Sequence, residues 1–312
     1  MIAGETAGPL VSVVMTAYNR ADLIGESIES VLRQSFTDFE LIIVDDGSTD
    51  ETATIASRYL SDSRVRVHRN ERNLGDYPNR NYSATLARGR FLKYHDSDDV
   101  MYRHCLQVMV SALESEERAD FALTSSRGWP GGPCPMLLTG RLAYEREFFG
   151  TGIFQLGPAC GLFRTAFFRD LGGFPAGGVA SDYLFWFKAC ARGRTVLVSG
   201  DLFYYREHPS QQLRSAGSVG DYASARSQAW KLLHATECPL KGPDLERAKR
   251  NFVYTVARDA YYQLRDGDGK AARTILRSLP WSVWLKYLRR PKRSNDAGCT
   301  SVLTEDGLAS SR

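Results

Sequence analysis

Three carboxylates, Asp96, Asp98 and Asp99, close a short run whose earlier residues, Phe91-Leu92-Lys93-Tyr94-His95, are largely apolar or aromatic. Like charges about 4 Å apart repel by on the order of 4 kcal/mol at a near-surface dielectric, so such a cluster needs solvent or a cation. Oxygen ligands suit a hard divalent ion. Two more polar groups stand upstream: Thr16-Ala17-Tyr18, which joins a hydroxyl to a ring able to stack, and the Asp45-Asp46 pair.

The segments before these groups read as buried strands. Val11-Ser12-Val13-Val14-Met15-Thr16 and Phe39-Glu40-Leu41-Ile42-Ile43-Val44 are rich in β-branched and apolar residues, as a strand covered on both faces should be. Between them Ile24, Ile28, Val31 and Leu32 recur at helical spacing, with Asn19 or Asp22 as the expected cap. Ser48-x-x-Glu51 has the reciprocal capping pattern that opens a helix, continued by Ile55 and Tyr59. Val65 and Val67 alternate in a third strand, Tyr82 and Leu86 mark a helix that Gly89 would close, and Phe91 onward becomes the fourth strand. Strands alternating with helices imply a doubly wound, mostly parallel sheet, whose ligands bind outside the carboxyl ends of the strands. That topology delivers Thr16, Ala17 and Tyr18, Asp45 and Asp46, and Asp96 to Asp99 to one edge.

Farther on, Cys105 to Leu113 is helical in pattern, Arg127 to Gly140 is Gly- and Pro-rich and reads as loop, and Ser181 to Lys188 opens a buried helix. Beyond about Arg214 the pattern is helical and charged, with no further strand signal. The expected division is an α/β domain over 9–215, a helical C-terminal appendage over 216–293 and a disordered tail over 294–312.

Composition excludes several classes. The 312 residues are 43% hydrophobic, enough for a sizeable core, and the formal charge of +4 makes no case for a nucleic-acid partner. Six scattered cysteines show neither Cys-x-x-Cys nor zinc spacing and read as reduced thiols of a cytoplasmic protein. No signal-peptide pattern and no apolar run of spanning length is expected.

Asp96-Ser97-Asp98-Asp99-Val100 fits the Asp-x-Asp-x-Val pattern of haloacid-dehalogenase phosphatases, although there the pair follows the first strand. A solvated acidic loop is the plain alternative. A larger set of stretches, in order, resembles glycosyltransferase family 2: residues 11–20, Ile43-Val44-Asp45-Asp46-Gly47-Ser48-Thr49-Asp50, Asn73-Leu74-Gly75, Arg80-Asn81, Asp96-Ser97-Asp98-Asp99, Gly172-Gly173-Phe174 and Ser181-Asp182. The resemblance covers about residues 9 to 210. It implies an α/β, GT-A (Rossmann-like) fold with a mostly parallel central sheet and a metal-dependent, inverting transfer of one sugar from a nucleotide-diphosphate donor, a UDP-sugar, to a glycan or lipid-linked acceptor.

By that resemblance, Asp98 and Asp96 hold Mg²⁺ or Mn²⁺, directly or through water, with His208 near it, and Asp99 orients the site or the sugar. Thr16, Ala17, Tyr18, Asp45, Asp46, Arg80, Asp96 and Ser97 line the nucleotide pocket, Asp46 accepting from the base. Asp182 takes the acceptor proton, with Ser181, where family members commonly carry an acid, on the acceptor side. Gln211-Gln212-Leu213-Arg214 is similar to the Gln-x-x-Arg-Trp signature of processive synthases, but Ser215 replaces the tryptophan, which favours single-sugar transfer. A pyrophosphorylase would need a Gly-rich basic loop after strand one, and Thr16-Ala17-Tyr18-Asn19-Arg20 is not one. A nucleotide-sugar-binding protein without transferase activity is the non-enzymatic alternative. Finally, Trp281 to Arg293 joins aromatics and leucines to a run of cations, which suits either a peripheral anchor on anionic headgroups at the cytoplasmic membrane face or packing against the domain.

Overall fold

The computed structural model describes residues 8–124, 133–175, 178–208 and 218–288. Every residue of β1 (Val11–Ala17) and β2 (Phe39–Asp45) is buried, as the apolar runs require. Between them α1 (Ala21–Leu32) turns Ile24, Ile28 and Val31 into the core. Next come α2 (Thr52–Ser57), β3 (Val65–Arg69), α3 (Asp76–Thr85) and β4 (Phe91–Asp96). The strands pair in parallel in the order β3-β2-β1-β4. Their register aligns Ala17 with Asp45 and Thr16 with Asp96, so the three polar groups share one edge.

The second half comprises β5 (Val100–Met101), α4 (Cys105–Ser115), β6 (Phe121–Leu123), β7 (Met136–Leu138), α5 (Gly140–Phe149), β8 (Gly161–Arg164), α6 (Thr165–Asp170), α7 (Ser181–Arg192), β9 (Thr195–Leu197) and β10 (Phe203–Tyr204). The sheet continues β4-β8-β6-β9-β7. Here β8 runs antiparallel to β4 and β6, and β7 antiparallel to β9, so the sheet is parallel in its first half and mixed in its second. β10 pairs with β5 in a separate two-stranded ribbon. That short ribbon folds the segment after Tyr204 back over the end of β4.

Alternation along β1 feeds two cores: Val14 joins Leu92, Tyr94 and Trp186 on one face, while Val13 and Met15 join Ile24, Leu41 and Phe91 on the other. The C-terminal appendage, α8 (Ser218–Leu232), α9 (Gly242–Arg265), α10 (Gly269–Leu276) and α11 (Trp281–Leu288), sends Ala225, Ala229, Val253 and Trp284 into the same cluster as Trp186. Its helices therefore pack as a continuation of the domain core.

Four expectations are corrected. The Ser48-x-x-Glu51 box does not form: the first turn of α2 is held by Asp50, whose Oδ1 accepts from Thr52 N at 3.0 Å, and Glu51 makes no side-chain cap. Neither Asn19 nor Asp22 caps α1, because acceptors from the neighbouring loop do so, Thr52 Oγ1 to Arg20 N at 2.7 Å and Asp50 Oδ2 to Ala21 N at 3.1 Å. And within the stretch expected as loop, Met136–Leu138 forms an edge strand, its short apolar run pairing with β9 despite the flanking Gly and Pro. Gly89 follows the helix it was expected to close by several residues, and a Cβ there would sit 2.5 Å from Ser12 N, so its role is close passage along β1.

At the opposite end of the strands from the polar edge, Glu40 is buried and gathers Ser12 Oγ (2.7 Å), Arg66 Nη1 (2.9 Å) and Arg88 Nη2 (2.8 Å). Burial disfavours its charge, but these donors outweigh that and hold its pKa below the usual value.

Candidate active site

Thr16 and Ala17 end β1 buried beneath the site edge, whereas Tyr18 is 43% exposed and belongs to no core cluster. Its ring is presented at the surface, as a stacking role needs. Asn19 adopts a left-handed φ of 52° and is clamped to the turn after β2, its N donating to Ser48 Oγ and its Oδ1 accepting from Thr49 N, both at 2.9 Å. The two loops thus form one platform.

Asp45 is fully buried; its Oδ2 meets Arg69 Nε at 3.2 Å and Ser48 N at 3.2 Å. Asp46 is also buried and accepts from Asn70 Nδ2 (2.7 Å), Leu74 N (2.9 Å) and Gly75 N (3.0 Å). A carboxylate has about four acceptor positions, so Asp46 spends three on shaping the 70–75 loop and keeps about one for a ligand. Asn73-Leu74-Gly75 is therefore a loop that Asp46 holds.

The acidic cluster is met by cations from distant parts of the chain. Arg80 Nη2 stands 2.7 Å from Asp96 Oδ1, and its Nε donates to Asp76 at 2.7 Å. Burial alone would raise the Asp96 pKa, but the Arg80 guanidinium keeps it lowered. Asp98 Oδ2 accepts from Arg20 Nε at 2.9 Å and lies 3.0 Å from His208 Nε2. Asp99 accepts Arg206 N at 3.0 Å through Oδ1, while its buried Oδ2 finds no hydrogen-bond partner among the described residues. Burial, then the Asp96 and Asp98 charges, push the Asp99 pKa up to about 8. Ser97 is buried within the same turn.

Asp182 lies at the start of α7, where burial pushes its pKa up to about 6. Its Oδ1 accepts from Tyr183 N at 2.7 Å, and the Tyr77 hydroxyl and Arg80 both lie close enough to favour its charged form. The helix α3 thus places Tyr77 against Asp182 and Arg80, one turn on, against Asp96. The next residue, Asn81, clasps the backbone of Phe174, donating to its carbonyl and accepting from its N–H, both at 2.9 Å. Gly173, at φ 71°, lets this happen, since a Cβ would come within 2.5 Å of Asn81 Oδ1. The Arg80-Asn81 and Gly172-Gly173-Phe174 stretches are therefore two halves of one clasp ahead of Asp182.

Ser181, expected on the acceptor side, is buried, and its hydroxyl donates to Gly178 O at 2.9 Å, bracing the turn before α7. Three participants were not singled out from sequence: Arg20, Arg206 and Tyr77. Arg20 and Arg206 lie within two residues of Tyr18 and His208, and Tyr77 lies one helical turn before Arg80, so helical spacing alone offered a signal for it. Residues 211–215, with the synthase-like signature, lie outside the described residues, as do 289–293 and the tail.

A divalent ion would draw its ligands from Asp96, Asp98 and His208: Asp98 Oδ2 and His208 Nε2 stand 3.0 Å apart, within hydrogen-bonding distance of each other and about the separation of cis ligands on an octahedral ion. The Asp99 oxygen without a partner among the described residues lies in the same turn, its carboxyl pKa raised first by burial and then by the Asp96 and Asp98 charges. Among the described residues no preformed group of three or more such side chains stands as a metal cage.

Comparison with known proteins follows the same lines. The glycosyl transferase family 2 model matches residues 12–170. Among similar proteins are a poly(ribitol-phosphate) β-N-acetylglucosaminyltransferase, TarS, of Staphylococcus aureus, 27% identical over 89% of this chain and 48% of its own, and a UDP-Glc:α-D-GlcNAc-diphosphoundecaprenol β-1,3-glucosyltransferase, WfgD, of Escherichia coli, 38% identical over 33% and 41%. The chain thus spans about half the length of these relatives. A crystal structure of S. aureus TarS residues 1–349 with UDP-GlcNAc superposes with a TM-score of 0.66 at 22% identity, covering 88% of this chain and 82% of that one. A Pyrobaculum calidifontis mannosyltransferase with GDP-Man and Mn²⁺ gives 0.55 at 16% identity, covering 91% and 89%. These likenesses establish the GT-A fold, and the pair Asp96/Asp98 follows β4 instead of the first strand, which sets the phosphatase reading aside.

Proposed function

The chain belongs to glycosyl transferase family 2, and from that premise we propose that it is an inverting glycosyltransferase moving one sugar from a UDP-sugar to a hydroxyl of a glycan or lipid-linked acceptor. The observation that carries this reading is the single edge on which β1, β2 and β4 end, where the Tyr18 surface, the acidic cluster and, through α3, the buried Asp182 carboxylate meet.

Tyr18 and Asp46 receive the base, and Thr16, Ala17, Asp45 and Ser97 shape the floor beneath it. Arg80 lies beside Asp96 with Nη1 free of any hydrogen bond among the described residues, a donor to offer to the diphosphate side. Asp98, His208 and Asp96 would hold a divalent ion, which when bound supplies positive charge for the leaving nucleoside diphosphate. In one displacement the acceptor oxygen bonds to the anomeric carbon from the face opposite the leaving group. The bond to the β-phosphate oxygen breaks with its electron pair, and the acceptor proton passes to Asp182. A carboxylate whose pKa lies near 6 suits that task near neutral pH, being mostly ionised yet more basic than an ordinary aspartate. The UDP-GlcNAc bound by TarS and the lipid-diphosphate acceptor in the WfgD name support the donor and acceptor classes.

A screen of UDP-, GDP- and dTDP-sugars for donor hydrolysis, with and without Mn²⁺, tests the reading. Hydrolysis of a UDP-sugar that needs the ion is expected. Binding of nucleotide sugar with no hydrolysis and no transfer to any glycan or lipid-linked acceptor would favour a non-catalytic binding protein.

A further inference from the structure

The cations of this chain are unevenly placed. From Gly269 to Arg293 there are eight Lys and Arg and no Asp or Glu, so the remainder holds 32 of the 40 basic residues against all 36 acidic ones. On the same stretch, apolar side chains lie uncovered.

Helix α11 has two apolar faces. Val283, Trp284 and Tyr287 are buried, the Trp284 indole donating to Leu276 O at 3.1 Å and the Tyr287 hydroxyl to Glu246 on α9 at 3.0 Å. The other face turns Trp281, 74% exposed, with Leu285 and Leu288 to solvent. Together with Leu276, Leu279 and Arg277 they line a hollow of about 620 Å³. Packing on the domain, one of the two expectations for this segment, accounts for the first face only.

We propose that the α10–α11 face docks on an anionic phospholipid bilayer, with Trp281, Leu285 and Leu288 entering the headgroup–acyl boundary and Arg277, which lines the same hollow, meeting lipid phosphates together with Lys270 and Arg273 of α10. An indole flanked by leucines and cations is the composition that settles at that depth. The charge selects the occupant. Two copies meeting through this face would bring two acid-free cationic stretches together, which repel, and a nucleic acid offers no apolar bed for three such side chains. No helix among the described residues is long and apolar enough to cross a membrane, so the contact is peripheral.

The test uses the full chain and flotation with 1:1 phosphatidylglycerol–phosphatidylcholine vesicles or pure phosphatidylcholine vesicles in 0.1 M NaCl. The protein should float with the first and not the second, and release at 0.5 M salt as screening shortens. Arg277→Ala should weaken partition about fivefold, the usual worth of one cation near such a surface, and Trp281→Ala/Leu285→Ala/Leu288→Ala at least tenfold. Brominated acyl chains should quench the wild type and not Trp281→Phe. Donor hydrolysis in solution reports folding and the transferase reading separately, and should be unchanged in all variants. Equal flotation with both vesicles, none with either, insensitivity to the triple variant, or a dimer in vesicle-free solution that the triple variant dissolves would overturn the proposal.

Discussion

Replacing Tyr77 by Phe should move the pH dependence of transfer while leaving the donor site intact. In the wild type, burial raises Asp182 to about 6, and the nearby Tyr77 hydroxyl opposes that by favouring the charged carboxylate. The other groups near Asp182 are Arg80, which favours its charge, and Asp76, Tyr222 and Cys160, which do not. With a base of pKa about 6, the rate at pH 5 should be about one tenth of its plateau, whereas an ordinary carboxylate would show almost none of that fall. A polar contact of this kind is worth about 0.5–1.5 kcal/mol, so Tyr77→Phe should shift the midpoint upward by about half to one pH unit. The ring that packs on Phe174 at 5.2 Å is kept. Linkage gives a second readout of opposite sense. The folded carboxyl holds its proton between its ordinary value of 3.8 and about 6, so Asp182 lends stability at low pH that is lost as pH rises through that window, by about 3 kcal/mol in all. Initial transfer rates from pH 5 to 9, with donor hydrolysis and urea unfolding in parallel, measure both. A wild-type rate flat between pH 5 and 7, or superimposable profiles for the two proteins, would refute the reasoning.

Asp98→Ala removes the shared partner of Arg20 and His208 and should lower Mn²⁺-dependent turnover by about 10²-fold or more, with a melting temperature little changed; wild-type turnover would reject the metal assignment. Gly173→Ala places a methyl against Asn81 at a left-handed φ and should cost about 1–3 kcal/mol in urea unfolding, loosening the clasp ahead of Asp182. Glu40→Ala strips the buried acceptor from Ser12, Arg66 and Arg88 and should cost about 3 kcal/mol at pH 7. Because the folded pKa of Glu40 is lowered, that difference is present above about pH 4.5 and should shrink as pH falls below it.

The sequence pattern was most informative where burial on both faces leaves long apolar runs. β1, β2 and β4 announced themselves, and because parallel strands share a direction, their polar ends had to meet. Local chemistry was less legible. The capping signals at Ser48 and Asn19 were the right residue types at helix starts, but at α1 the side chains of Thr52 and Asp50 reached the N–H groups first, a tertiary effect that spacing does not encode, and at α2 Asp50, two residues before Thr52, took the place of Ser48. Strand β7 is only three residues of an otherwise Gly- and Pro-rich stretch and exists because β9 offers it an edge. The meeting of Asp98 with His208 across 110 residues depends on the small β5–β10 ribbon, a two-residue pairing with no periodicity of its own. The turn before α7 likewise hides why Ser181 faces inward.

Central to the account is attack from the face opposite the leaving group, with Asp182 taking the proton. The most direct measurement is proton NMR of the anomeric signal as UDP-α-GlcNAc, or whichever α-linked UDP-sugar the screen selects, is turned over, read before mutarotation. The account predicts that the β anomer appears first and that Asp182→Asn abolishes its formation while nucleotide binding persists. First appearance of the α anomer, or β product formed by Asp182→Asn at the wild-type rate, would contradict it.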